Sequence, residues 1–583
     1  MKRNGIDKVF CFKKEKDISL ANKNKRFFNF NEKAVSFMYD YENHNFKVPL
    51  VALEPSIALV NYEDDVCVLL PSSSVESSNM FGTRIDKRTN VGKEENYCLK
   101  LNHEIEDFFK DLKKNLGKEK KDMVVFNSNE NYLMVNKSKR KFINGEINYK
   151  GMSIHLDNDT LFVKINSHKI DSLTIKTDLN VVFGEFEYEF KALNVISKGF
   201  DNSSKINCNY LSIIANETFS NNEKINCKNI CFISSKKVVQ NNEFNGEKIV
   251  LLSNECIFNN TVFEANLCLI CSEKSFKSSL KININHGFIQ SQEITLNGIH
   301  GENEFNKMFL KSNVISISSN VKSLKIIIEA NKITFNSKAN IKVDKQISFH
   351  LVPFKDTKPL CKNNGKLSFY NVWLETIQKN NKNPSFINLN AMSVTNAFLL
   401  HSTEFQNKGN ILIRSFHIST FSCFTSVRNS SLKLGDLLVI DDSGKFTCNG
   451  KIIQYAYLLP IVLNSGIITI NNYNDVFYCQ KIVSNNKFNG TFKIKSNDLI
   501  SFTGCNNWEN ANLESPKIFI SKKCEIYGNK IEINCDDFEI VSSSINSNQN
   551  ENSSLVLKIK NNSKNHNSEF KCWEKVIIET NSN

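Results

Sequence analysis

Between Ile206 and Gln292 the chain repeats itself every 19 residues, and this repeat limits what it can fold into more than any other feature. Ile206-Asn207-Cys208-Asn209-Tyr210-Leu211 returns as Ile225-Asn226-Cys227-Lys228-Asn229-Ile230, and again as Phe244-Asn245-Gly246-Glu247-Lys248-Ile249. The apolar columns so defined are Leu211, Ile230, Ile249, Leu267, then Ile213, Phe232, Leu251, Leu269, then Ile214, Ile233, Leu252, Ile270. A small column runs Cys208, Cys227, Gly246, Ala265, as an inward position at a tight corner requires. Two polar columns run Asn202, Asn221, Gln240, Asn259 and Ser203, Asn222, Asn241, Asn260.

Such columns predict a solenoid in which coils stack about 4.8 Å apart with backbones paired. Stacked amides then hydrogen-bond along each column. One coil cannot bury its own apolar face, so stability comes from neighbouring coils. A leucine-rich repeat is the competing architecture, but its L-x-x-L-x-L-x-x-N signature is not kept and no coil carries a helix-forming run. The expected fold is therefore all-β: a right-handed parallel β-helix with coils of about 19 residues and a small mixed α/β region at its start.

Four regions are expected. Residues 1–150 do not keep the register and read as a cap, with apolar runs at Val48 to Val60 and Val66 to Leu70. A helix is predicted over Asn102 to Lys114, where Ile105, Phe108, Phe109 and Leu112 form an apolar stripe. Residues 151–350 form regular coils, with Leu161 to Ile165 and Leu173 to Ile175 among the first. Residues 351–480, which hold four of the eight prolines, form irregular coils with loop insertions. Residues 481–583 return to regular coils, with Leu499, Ile518, Phe538, Leu557 and Val576 opening successive strands. No cap is evident after Val576 to Thr580, which points either to stacking of the last coil on another subunit or to the chain being one part of a longer assembly.

Phrases such as Leu463-Asn464-Ser465-Gly466-Ile467-Ile468-Thr469-Ile470, with the 19-residue period and Asn-rich turns, resemble the repeats of filamentous haemagglutinin-like adhesins over about residues 190–583. That resemblance implies a long, exported, non-enzymatic fibre used in adhesion or toxin display. The chain departs from the family pattern in having sparse glycine and no evident Sec signal.

Charge and cysteine bound the remaining possibilities. The net charge is +13, yet only seven basic residues are Arg, and Lys is dispersed rather than gathered in a stripe. This argues against nucleic acid as the partner. Seventeen Cys are dispersed, odd in number and often within apolar strands; Cys208, Cys227, Cys231, Cys256, Cys268 and Cys271, in or beside the core columns, read as buried thiols of a reducing compartment. No apolar run is long enough to span a membrane as a helix. Zinc spacing is absent, and Cys268 with Cys271 form one C-x-x-C that the repeat itself explains, so no metal or cofactor is predicted. His103-Glu104 lacks the second His of H-E-x-x-H, and Cys98 beside His103 has no family signature.

The enzymatic alternative is a carbohydrate-active β-helix or a phage-like spike, whose chemistry requires paired carboxylates. The catalytic candidates are Asp441 with Asp442 and Asp536 with Asp537, alongside Asp157 with Asp159. Asp441-Asp442-Ser443-Gly444 reads as a turn, and no G-H-G or R-x-K follows it. Three functions are thus framed: an adhesin-like or scaffold solenoid binding a glycan or protein, a carbohydrate-active enzyme or spike, and an effector with activity in residues 1–150.

Overall fold

The computed structural model describes residues 146–580 apart from short segments at 150, 167–170, 260–261, 280, 299–301, 353–356, 377–384, 420, 456–457, 522 and 549–551. Before residue 146 it describes only the backbone of short strands, so Asn102 to Lys114, Cys98 and His103 lie outside the described residues. The chain is a parallel β-solenoid of about 20 turns from residue 160 to 580, without a helix among the described residues. It divides into two compact units that part between Glu329 and Ala330.

In the first unit, antiparallel strands precede the coils. Glu146–Tyr149, Met152–Asp157 and Thr160–Ile165 form a meander, and Thr160–Ile165 then pairs in parallel with Asn180–Phe183. Asp122–Asn127 lies parallel to Ser172–Lys176 and antiparallel to Tyr132–Val135. These strands occupy the edge that a first coil would otherwise leave unpaired. Further upstream are a sheet of Phe27–Phe30, Val35–Asp40 and Asn45–Val51, and a hairpin of Ile57–Tyr62 with Val66–Pro71.

The coils are register-locked, and one correction to the expected columns is instructive. Cys208 pairs with Cys227 and Cys227 with Gly246 as the repeat predicts. An irregularity between Cys227 and Ile230 then shifts the strand by one residue, so that Leu211 pairs with Cys231 and Cys231 with Ile249. The inward columns are therefore Leu211, Cys231, Ile249, Cys268 and Ile213, Ile233, Leu251, Ile270. A Cβ on Gly246 would lie 2.8 Å from the Ile249 side chain, which places both on the inner face. Phe232 moves to the outer face beside Ser212 and Val250, because one inserted residue reverses every side chain that follows. It is nonetheless fully buried, as are Val250, Leu269, Phe288 and Phe309 at the equivalent outer positions. Strands buried on both faces carry continuous apolar runs, which is how Ile230 to Ile233 reads.

The amide ladders form with one exchange. Asn202 donates to Asn221 at 2.6 Å, but Gln240 pairs with Phe258, so Asn259 leaves the first ladder and donates to Asn241 in the second at 2.9 Å. A third ladder, Asn207, Asn226 and Asn245, closes at 2.9 and 3.2 Å. At the solvated corner Lys205 pairs with Glu187, and Lys224 with Glu243.

The second unit uses the same devices through coils of unequal length. Phe386, Phe405, Phe424 and Phe446 stack at 4.8, 5.5 and 5.4 Å. Asn363, Asn388 and Asn407 form a buried ladder at 2.7 and 2.8 Å. Near the C-terminus the expected line of strand openings is corrected. Ile518 does pair with Phe538, whereas Leu499 pairs with Lys517, Leu557 with Ile533, and Val576 with Leu555. Equal sequence spacing misaligned these positions because the steps between coils are unequal: Leu499 to Lys517 is 18 residues, and Phe538 to Ser563 is 25.

Candidate functional site

Two groups of side chains in the second unit stand apart from ordinary coil packing. The first is buried. Phe349 packs against Phe335, Phe369 and Phe386 across the core, so the next residue, His350, faces outward. His350 pairs in register with Glu375, and Glu375 with His401. His350 Nδ1 lies 3.5 Å from Glu375 Oε2, and His401 Nε2 lies 4.0 Å from Glu375 Oε1. His401 Nδ1 is 2.7 Å from the Ser419 hydroxyl, and His417 Nε2 is 2.8 Å from Asp441 Oδ2. The row has the residue types of a Ser-His-acid relay, but Ser419 is fully buried and cannot reach a substrate. Among the described residues no three His, Cys, Asp or Glu side chains converge to hold a metal ion.

The second group reaches solvent at Tyr370, Thr395 and Arg414, with Asp436 and Tyr455 half-buried beside them. Phe369, Val394, Ile413, Leu434 and Gln454 occupy one column in five consecutive coils, so the residues that follow them, Tyr370, Thr395, Arg414, Gly435 and Tyr455, line one corner. Arg414 Nε donates to Asp436 Oδ2 at 2.6 Å, and that hydrogen bond raises the guanidinium pKa further, keeping it charged. A Cβ at position 435 would lie 2.8 Å from Arg414 Cα, so glycine is what allows the two coils to approach there. Tyr370 is 44% exposed and stands two coils from Arg414 on one side. Tyr455 stands two coils away on the other. At about 4.8 Å per coil each tyrosine lies roughly 10 Å along the axis from Arg414. Tyr473, also exposed, carries Lys493 Nζ 4.6 Å from its ring centroid.

The carboxylates singled out from sequence are not brought together into a catalytic pair. Asp441 accepts a hydrogen bond from the Gly444 backbone through its carbonyl, Ser443 has φ of 62°, and the Asp441 carboxylate engages His417 while Asp442 is exposed on the turn. Asp536 pairs with Lys560 at 3.1 Å, and Asp537 accepts from Asn562 at 3.0 Å. Asp159 is held by Lys198 at 3.2 Å, while Asp157 is exposed at a strand end. Most described thiols are committed to packing: burial pushes Cys256, Cys268, Cys271 and Cys361 above the usual cysteine range, whereas Cys505 and Cys572 are exposed, contrary to the expectation from sequence.

Sequence reasoning missed the Tyr370 to Tyr455 corner because its members are 25, 19, 21 and 20 residues apart. The signal was present only as tyrosines and one of the few arginines within the irregular coils. The His350, Glu375, His401 row was hidden in the same way, by steps of 25 and 26 residues.

Fold and site together define a β-solenoid repeat protein with an exposed aromatic and charged corner. No family model, curated protein or solved structure matches the chain. No helix among the described residues is long and apolar enough to cross a membrane, a finding that does not bear on strands.

Proposed function

We propose that the protein is a non-enzymatic binding solenoid, adhesin-like or scaffolding in role, that recognises a glycan at the Tyr370, Arg414, Asp436 and Tyr455 corner. The observation that carries this reading is the corner itself: exposed Tyr370 and half-buried Tyr455 flank a charged, hydrogen-bonding pair on a stack of coils. Sugar rings pack their C–H faces on aromatic side chains, and their hydroxyls hydrogen-bond to guanidinium and carboxylate groups. An extended saccharide lying along the coil axis meets both tyrosines and the Arg414–Asp436 pair. The candidate aspartates support binding over cleavage, since Asp441 and Asp536 are tied to a histidine and a lysine instead of facing a second carboxylate.

The test is glycan-array binding of the purified chain with product analysis of the bound sugars. Binding without cleavage, weakened several-fold by Tyr370→Ala and by Tyr455→Ala, is the expected result. Cleavage of a bound sugar, or binding that both substitutions leave unchanged, overturns it.

A further inference from the structure

The corner that carries Tyr370, Arg414 and Tyr455 repeats every second coil, in its side chains and in its backbone. Along five consecutive coils its residues are Tyr370, Thr395, Arg414, Gly435 and Tyr455, so a large side chain alternates with a small one or none. Between the same two paired columns the chain spends one residue at Tyr370, two at Thr395-Asn396, one at Arg414 and two at Gly435-Asp436. The second residue of each longer coil is polar and tied to a neighbouring coil. Asn396 donates to Asn371 Oδ1 at 2.9 Å, and Asp436 accepts from Arg414 at 2.6 Å. After Asp436, the groups whose charge acts on the Arg414 guanidinium are the Tyr370 and Tyr455 phenols, so all three large side chains face one surface.

A two-coil period selects among saccharides. Backbone pairing fixes the coil step, so the large side chains recur roughly every 10 Å along the axis, preorganised before any ligand arrives. In ribbon-like polysaccharides, whose hexopyranose rings are joined through equatorial bonds, each ring advances by about one coil step and is turned over relative to the last. Alternate rings therefore present the same face at the spacing of alternate coils. A chain joined through axial bonds curves into a helix and loses that match.

We propose, resting on the reading of this corner as a glycan site, that its ligand is a linear, equatorially linked hexopyranose chain lying along the coil axis, with every second ring seated on Tyr370, Arg414 and Tyr455. Tyr370 and Tyr455 are four coil steps apart, so five rings reach from one to the other. The first and fifth rings stack on the tyrosines. The third lies over the guanidinium, and its hydroxyls hydrogen-bond to Arg414 and Asp436. The second and fourth pass over Thr395 and Gly435, where no bulky side chain lifts the ribbon, and Asn396 and Asp436 place polar atoms beside them.

Calorimetric titration of the full chain with cello-, manno- and chito-oligosaccharides of two to six rings tests this, with malto-oligosaccharides of the same lengths as the axially linked control. Affinity in at least one equatorial series should step up roughly tenfold between four and five rings, where the second tyrosine is engaged, and level off at six. Tyr370→Ala and Tyr455→Ala should each remove the step, and the malto-oligosaccharides should show none. Binding that Tyr370→Ala weakens but that rises smoothly with length, or a step shared by the malto-oligosaccharides, overturns the proposal and leaves the corner a glycan site. A step that either variant retains overturns it as well. Absence of binding by every equatorial series also overturns it, and a glycan-array signal lost in Tyr370→Ala then shows that the wider reading survives that failure.

Discussion

The coil strands Ile225–Gln240 and Glu525–Val541 have similar lengths and the same Ile-Asn-Cys phrase, but they are buried differently. In the first, Ile230 to Ser235 are buried without interruption, so both faces of the strand are covered. In the second, Ile531, Ile533 and Cys535 alternate with half-buried Glu532, Asn534 and Asp536. The composition follows the environment: Cys-Phe-Ile-Ser-Ser in one, Ile-Glu-Ile-Asn-Cys in the other. An outer face that meets water needs polar residues at alternate positions, and an outer face that is covered does not. One repeat thus builds two kinds of strand.

The comparison breaks if outer positions behave alike in the two coils. Ile233→Asp, which puts an unpaired carboxylate in the core, should have the largest effect, at several kcal/mol in urea unfolding. Phe232→Ala, on the outer face of the same strand, should still cost about 3 kcal/mol or more because the ring is fully buried. Glu539→Ala, on the outer face of Glu525–Val541, should change stability by less than about 0.5 kcal/mol. Equal effects for Phe232→Ala and Glu539→Ala would show that the outer band contributes nothing to the fold.

The ladders sharpen the same contrast at a smaller scale. Asn388→Ala removes the central amide of a fully buried ladder and leaves groups of Asn363 and Asn407 without their partner, at a cost of about 1–3 kcal/mol. Asn241→Ala interrupts an exposed ladder, where water replaces the lost bonds, and should cost clearly less. Matched unfolding curves of the two variants provide the check.

The smallest effect concerns pH. The Lys198 hydrogen bond and charge hold Asp159 below the usual carboxylate value of 3.8, and Lys205 does the same for Glu187 relative to 4.5. Their folded values lie below their unfolded ones, so the stabilisation is present above the unfolded values and fades as pH falls through the folded ones. Both groups are fully exposed, so melting temperatures of the parent and Lys198→Ala should differ little at pH 7 and converge in acid.

Much of the fold was legible from residues that recur in place. The small column Cys208, Cys227, Gly246, Ala265 needed only counting, since a parallel stack repeats each position once per coil. The one-residue irregularity after Cys227 was not legible, because Ile230, Phe232 and Ile233 are apolar in either register. The Asp441 turn could be read locally, from Asp-Asp-Ser-Gly. The Tyr370 corner and the His350 row could not, since insertions between coils erase the period that would have aligned them.

By itself the sequence determined the coil, its approximate length, its stacked amides and the burial of the cysteines in its repeat columns, because each of these depends on neighbours one repeat away. Only the tertiary structure decided which face Phe232 occupies, which aspartates meet a partner, and which side chains share a corner across coils of unequal length. Those outcomes depend on register, and a single inserted residue changes register without changing composition.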